Sequence, residues 1–271
     1  MKIACIQSKI LNTREKCYQE IENILKNLLA EHSDCDIVCL PERWVPLNGD
    51  MNSNLQKERG DDYTFAKRLA ERYSINVISG AIWEKRDHLE KPIITCYYYN
   101  ERGEEIGRQN KIHLYTYERK FFTSGKEIKI FKLGAYNFAI LICFDMAFYE
   151  TPRLAAENGA DLLFSPTQIR REGIENWKIY LRARALENRI PVAACNTLGE
   201  IGEKTFPGNS QLISFLKGPL TPSKLKIIEG PFNSRAFVCD SFDLEFPRKL
   251  RKHRLNEKVD QDQIKVKKVP E

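Results

Sequence analysis

Short apolar runs alternate along this chain with amphipathic stretches, a rhythm that only layered folds of strands and helices satisfy. Ile3–Gln7, Asp36–Leu40, Ile75–Trp83, Ala160–Ser165 and Pro191–Asn196 read as strands. Between them, residues 14–31 place Ile21, Ile24, Leu25, Leu28 and Leu29 at spacings of three and four, which is one helical face. Residues 62–73 repeat the pattern with Phe65, Leu69 and Tyr73, and residues 175–188 form a further helix. Thr151-Pro152 suits a helix start, with Thr at the N-cap, Pro at the first helical position and Gly159 as the C-terminal cap. Ile94–Asn100 and Glu104–Asn110 flank Glu101-Arg102-Gly103 as a hairpin, and Ile128–Leu133 pairs with Asn137–Cys143 across Gly134. Gln211–Phe215 and Arg235–Asp240 are late strands. The class is α/β, covering roughly residues 1–245.

The bulk numbers narrow what such a chain does. Its 271 residues are 42% apolar and 30% charged, an ordinary globular balance. No apolar run reaches the ~18 residues of a membrane span. The N-terminal apolar segment is too short for a signal peptide and reads as a first strand, so the expected location is cytoplasmic. Eight cysteines scattered through the chain argue against a disulfide framework. Cys35 and Cys39 are the one close pair, with no second pair to complete a zinc site, so no metal is expected. Most of the net charge of +6 lies at the C-terminus, where residues 248–271 hold nine Lys/Arg against four Asp/Glu. That segment mixes acids among its bases and has no Phe, Tyr or Trp for stacking on bases. Residues 246–271 therefore read as a basic tail, solvated or touching a second subunit, rather than as a nucleic-acid or membrane anchor.

Three segments place a reactive group where an apolar strand ends, which is where α/β folds assemble sites. In Asp36-Ile-Val-Cys-Leu-Pro-Glu42, Pro41 stops the strand and Glu42 is delivered at its exit. In Arg108-Gln-Asn-Lys111-Ile-His-Leu-Tyr115, Lys111 and His113 share one strand parity while Ile112 and Leu114 share the other. In Phe138-Ala-Ile-Leu-Ile-Cys143-Phe-Asp145, five apolar residues lead into Cys143 and a turn and helix follow. A helix N-terminus beside a cysteine favours thiolate. Each segment alone also suits a bland reading: a loop acid, a surface lysine, a buried structural cysteine.

Together these segments resemble the catalytic elements of the nitrilase superfamily of carbon–nitrogen hydrolases. Leu40-Pro-Glu42 resembles its glutamate motif, Asn110-Lys111-Ile-His-Leu its lysine motif, and Ile142-Cys143-Phe-Asp-Met-Ala-Phe-Tyr-Glu150 its cysteine motif, with gaps of 69 and 32 residues between the three reactive groups. Gly159-Ala-Asp-Leu-Leu-Phe-Ser-Pro166 and Arg182-Ala-Arg-Ala-Leu-Glu-Asn188 add to the likeness, which runs from residue 2 to about residue 240. Tyr149 stands where the family usually has proline, and Leu212–Gly218 lacks its Asp-Pro-x-Gly turn.

The resemblance implies a four-layer α-β-β-α sandwich that pairs into at least a homodimer, and a cofactor-free hydrolysis of a small amide or carbamoyl compound through a thioester. Cys143 would be the nucleophile and Glu42 the base. Lys111 and the backbone N–H of Phe144 would bind the oxyanion. Glu118 is implied as a second carboxylate that positions the substrate amide. His113 is expected to pack or hydrogen-bond rather than to serve as base, and Asp145 and Glu150 to fix the loop after the nucleophile. Arg170 and Arg171, after the strand 160–165, are candidates for holding an acidic substrate group. The competing readings are a nitrilase acting on a small nitrile, and a non-catalytic binding protein on the same fold.

Overall fold

The computed structural model describes residues 1–259 and 261–269. In chain order the first half runs β1 (Lys2–Gln7), α1 (Arg14–Glu31), β2 (Ile37–Cys39), β3 (Gln56–Lys57), α2 (Asp61–Tyr73), β4 (Asn76–Lys85), β5 (Ile93–Tyr99), β6 (Glu105–Asn110) and a short α3 (Glu118–Phe121). The second half runs β7 (Ile130–Leu133), β8 (Tyr136–Ile140), α4 (Glu150–Glu157), β9 (Leu162–Thr167), α5 (Ile174–Asn188), β10 (Val192–Asn196), β11 (Leu198–Ile201), β12 (Lys204–Pro207), β13 (Gln211–Leu216), β14 (Lys224–Glu229), β15 (Ala236–Ser241) and α6 (Glu245–Asn256).

Two mixed sheets result. One has the order β15-β1-β2-β4-β5-β6, with β3 beside β4; the other has the order β14-β13-β10-β9-β8-β7. Each carries parallel strands at its centre, β1-β2-β4 and β8-β9-β10, with antiparallel neighbours outside them. Strand parity explains the stacking. Ile3 and Cys5 of β1 point into the apolar layer between the sheets, while Ala4 and Ile6 point at α1 and α2. Phe164 of β9 and Cys195 of β10 enter the same inter-sheet layer, while Leu163 and Ala194 pack against α4 and α5. The architecture is the four-layer α-β-β-α sandwich that the sequence resemblance implied.

Several local expectations are corrected. The helix expected to open with Thr151 as its cap begins at Glu150 after Tyr149. Thr151 lies inside the first turn, and its hydroxyl donates to the Asp145 carbonyl, so the side chain is drawn to the preceding turn rather than to its own helix end. The strand expected to run to Cys143 stops at Ile140, and β6 stops at Asn110, which leaves Lys111 and His113 on irregular backbone rather than on a strand. Unforeseen elements are the short β3, the hairpin β11–β12, β14, α3 and α6. The last of these occupies the first half of the segment read as a tail. It buries Phe246 and Leu250 against Phe215 and holds Asp161 between Arg248 and Arg251.

The β4–β5 register shifts between Ile78 and Ala81, and Gly80 sits in that irregularity with φ +69°. An added Cβ there would lie 2.1 Å from the Pro41 carbonyl, on the loop that carries Glu42. Left-handed backbone and a backbone clash act together, so Gly80→Ala should lower stability by about 2 kcal/mol or more, measured by urea unfolding. A change within ~0.5 kcal/mol would show that this loop is not tightly set.

Candidate active site

The carboxyl ends of the central parallel strands meet between the sheets. Pro41 cannot join the ladder, so the chain turns after β2 and delivers Glu42 there. Backbone bonds fix it across the layer: Glu42 N–H donates to the Thr167 carbonyl of β9 at 3.2 Å, and Ala81 N–H donates to the Glu42 carbonyl at 3.2 Å. Thr197, just past β10, reinforces this. Its hydroxyl accepts from Arg43 N–H at 3.2 Å and lies 2.8 Å from the Arg43 carbonyl and 3.0 Å from the Thr167 carbonyl.

Lys111 follows β6 and is bracketed by backbone bonds to Ile94 and Gly125. Its Nζ donates to Glu42 Oε1 at 2.7 Å and to Glu118 Oε1 at 2.9 Å. The other oxygen of Glu118 accepts from Tyr115 N–H at 2.7 Å, which pins the carboxylate at the start of α3. All three side chains are almost fully buried, at 1% exposure for Lys111 and 4% for Glu42 and for Glu118. Burial works against the Lys111 ammonium, but the Glu42 and Glu118 carboxylates outweigh it and hold its pKa well above the ordinary lysine value. Burial likewise raises Glu118, with Lys111 opposing and the Glu42 charge adding to the rise.

Cys143 enters from the second sheet. It has φ +46°, a left-handed conformation costing a non-glycine residue of order 1–3 kcal/mol. That bend turns the thiol out of the strand direction and into the cavity. The segment Cys143–Ala147 is a short 3-10 turn, and the α-helix begins only at Glu150. The expected thiolate-favouring helix terminus is therefore not in place. Burial pushes the thiol pKa well above its ordinary value and the Glu42 carboxylate adds to this, while Lys111 and the Gln168 backbone N–H oppose it. The resting pair is a protonated thiol beside Glu42.

Asp145 ties the lysine and cysteine segments together. Its carboxylate accepts from Ile142 N–H at 2.9 Å and from His113 N–H at 2.6 Å, and it is fully buried. The His113 ring lies 3.2 Å from Asp145 and stacks on Phe148 at 4.2 Å, a packing and hydrogen-bonding position. Glu150 is exposed at the start of α4, and its carboxylate accepts no such bond among the described residues, so the expected role in fixing the loop falls to Asp145 alone.

Glu42, Lys111, Glu118, Cys143, Phe144 and Arg170 all line one cavity of about 600 Å³. The Phe144 ring packs edge-on against Tyr115 at 5.1 Å. Arg171 lies outside the cavity lining and donates to Asn233 Oδ1 at 2.8 Å on the surface. Sequence reading missed Trp83, Trp177 and the β11–β12 hairpin, whose Ile201, Lys204 and Phe206 cover one side. Gly202, at φ +59° between the two short strands, was the signal that would have located the hairpin. Among the described residues, no group of three His, Cys, Asp or Glu side chains gathers to hold a metal.

Comparison with known proteins adds to this geometry. Residues 2–218 match the carbon-nitrogen hydrolase family. The chain is 28% identical over 259 residues to a probable nitrilase of Schizosaccharomyces pombe, covering 93% of this chain and 92% of that protein. It is also 28% identical over 220 residues to a 2-oxoglutaramate amidase of Bacillus subtilis, covering 78% and 82%. Its fold superposes on Saccharomyces cerevisiae Nit3, a member of branch 10 of the nitrilase superfamily, with a TM-score of 0.82 at 23% identity over 97% of each chain.

The buried triad makes a stability prediction. Lys111→Met removes the shared cation and leaves two nearly buried carboxylates facing each other, so it should cost about 3–5 kcal/mol at neutral pH. Without the ammonium, both carboxyls bind protons more tightly in the folded state than in the unfolded one. The loss should therefore grow as pH rises above the ordinary carboxylate range near ~4 and shrink below it. In the parent protein the raised Lys111 contributes fully below about pH 10 and is lost only as pH climbs through its folded value. Denaturant unfolding of both proteins from pH 4 to 8 checks this; a pH-independent difference would mean that the carboxylates do not depend on Lys111.

Proposed function

Since the chain belongs to the carbon–nitrogen hydrolase family, we propose that it is an amidase-type member that cleaves a small non-peptide amide or carbamoyl compound through a thioester on Cys143. The observation that carries this reading is the second carboxylate: Glu118 shares the Lys111 ammonium with Glu42 inside the same cavity as Cys143. An amide presents an N–H₂ group that a carboxylate accepts from and a carbonyl oxygen that becomes an oxyanion. A nitrile presents neither. The name of the Bacillus subtilis relative, a 2-oxoglutaramate amidase, supports the same choice.

The mechanism follows from the protonation states. A buried neutral thiol is a poor nucleophile until its proton leaves, so Glu42 takes the proton as sulfur attacks the carbonyl carbon. Charge then develops on the carbonyl oxygen, where the Lys111 ammonium and the Phe144 backbone N–H stabilise it in a site shielded from water. The C–N bond breaks, Glu42 returns its proton to the departing nitrogen, and ammonia or an amine leaves. Water enters, Glu42 takes one of its protons, and the thioester is hydrolysed to the acid and the free thiol. Glu118 holds the amide facing the sulfur, a positioning task.

The reading includes a homodimer. Its support is apolar surface on the outer helices, with Leu154 of α4 50% exposed and Ile179 of α5 65% exposed.

Ammonia release from a panel of small amides, carbamoyl compounds and nitriles tests the assignment. Cys143→Ala should abolish turnover while leaving stability within the ~0.5–3 kcal/mol usual for one substitution. Glu118→Gln should cut amide turnover at least about a hundredfold, the size of a lost positioning or electrostatic contact. Efficient nitrile turnover with poor amide turnover, or near-normal amide hydrolysis by the Glu118 variant, would overturn it.

A further inference from the structure

Behind Lys111, on the side of the first sheet away from the cavity, lies a buried ion pair that the mechanism does not use. Glu84, near the end of β4, is fully buried, and Arg86, just past that strand, is 6% exposed; their charged groups meet at 2.6 Å. Arg86 Nε donates to Glu84 Oε1 at 2.7 Å, and the Tyr97 hydroxyl of β5 donates to Glu84 Oε2 at 2.8 Å. Tyr97 belongs to the apolar layer that the first sheet shares with α1 and α2, which places the pair on that outer face. Desolvation offsets much of the attraction in such a pair, so stability alone does not account for it. The remaining donors of Arg86 point to a second role.

Arg86 Nη2 donates to the Thr95 hydroxyl at 2.7 Å and to Asn110 Oδ1 at 3.0 Å, and the Thr95 hydroxyl donates to the same Oδ1 at 3.1 Å. Thr95 and Asn110 are register partners on β5 and β6. The ends of β4, β5 and β6 are thus pinned at one oxygen, on the residue that precedes Lys111. Asn110 faces the ion pair, while Lys111 faces the cavity. Gly125 closes another side, because an added Cβ there would lie 2.7 Å from the Asn110 carbonyl. A shift of the Asn110 backbone therefore moves the root of the Lys111 side chain, whose Nζ holds bonds of 2.7 Å to Glu42 and 2.9 Å to Glu118.

Resting on the amidase reading, we infer that Arg86 is a positioning residue for the reaction: held by Glu84, it fixes Asn110 and so sets the point from which Lys111 meets the oxyanion. The Glu84–Arg86 pair is electrically balanced, so it acts through geometry rather than through a net charge. Arginine suits the task because its planar fork bonds Glu84 with one nitrogen and Thr95 and Asn110 with another, where a lysine has a single nitrogen for all three. A misplacement of about 1 Å in a catalytic group can cost about a hundredfold in rate. The effect falls on the steps in which charge develops on the substrate oxygen and leaves ground-state binding little changed, so it appears in kcat rather than in KM.

The test uses Arg86→Lys, Asn110→Ala and Asn110→Asp, assayed by ammonia release from the small amide that the parent enzyme turns over fastest. Asn110→Ala removes the shared acceptor and leaves the Glu84–Arg86 pair whole, so with Asn110→Asp it decides the matter even where Arg86→Lys fails to fold. Asn110→Asp keeps an oxygen in the place of Oδ1. Each variant is assayed below the onset of its own thermal unfolding, so loss of folded protein does not enter the rate. Arg86→Lys and Asn110→Ala should lower kcat at least about tenfold with KM within about threefold of the parent, and Asn110→Asp should recover most of that loss. A network that is merely structural would lower the unfolding midpoint and leave kcat of the folded protein where it was. A kcat for Asn110→Ala within about threefold of the parent, a loss carried by KM, or an Asn110→Asp variant as slow as Asn110→Ala would each overturn this inference and leave the amidase reading intact. Absence of turnover by the parent on every amide would overturn the amidase reading and this inference with it.

Discussion

One ammonium group held between two carboxylates at the buried end of a cavity sets the terms for the rest of this structure. Glu42 and Glu118 cannot both stay charged so close together without a cation, and Lys111 cannot stay charged at 1% exposure without an anion. Each of the three makes the other two possible. Their chain positions are far apart, so the fold must bring together the exits of β2 and β6, the start of α3, and, from the opposite sheet, the bend at Cys143. The interlocked bonds among Glu42, Thr167 and Thr197 do this across the two sheets, and Asp145 does it between the lysine and cysteine segments. The apolar layer between the sheets is thus both the core of the protein and the support on which the nearly buried triad rests.

That arrangement bears on how the proposed mechanism activates the thiol. A cysteine at a strand–turn–helix junction suggests a thiolate stabilised by a helix end. Here the turn after Cys143 is too short and irregular to supply that field, and burial beside Glu42 raises the thiol instead. In the mechanism proposed above, activation therefore belongs to the moment of attack, when Glu42 takes the proton and Lys111 meets the new charge on oxygen. A protonated resting thiol next to a base also limits side reactions of a permanently exposed thiolate.

Much of this was legible in the chain. Strand parity in β1, β9 and β10 follows the alternation of Ile3, Ala4 and Cys5, and of Leu163, Phe164 and Val192 to Cys195, because one face of each strand meets helices and the other meets a second sheet. Residues 14–31 became a helix with the same limits, since its apolar stripe and its Thr13 cap agree. Glu42, Lys111 and Cys143 were singled out because their three segments together resemble the family's motifs, while each alone also suited a bland reading. What escaped was short or heavily charged. Phe246 and Leu250 lie four residues apart on one face of α6, but Arg248, Lys249, Arg251 and Lys252 around them read as a basic tail. The β11–β12 hairpin has only four residues in each strand, too few to show a period, so Gly202 was its one mark and nothing pointed Lys204 to the cavity. Glu118 came from the family resemblance; its loop gives no periodic signal of its own.

The account stands on a covalent bond between substrate and Cys143, formed as Glu42 takes the thiol proton. Intact-mass spectrometry of the enzyme, quenched within the first turnover on a small amide, reads that bond directly. The account predicts an adduct equal to the amide minus ammonia, mapped by peptide digestion to Cys143, formed in the parent protein and absent in Cys143→Ala. Full turnover with no such adduct at any quench time, or with the adduct on another residue, would contradict it.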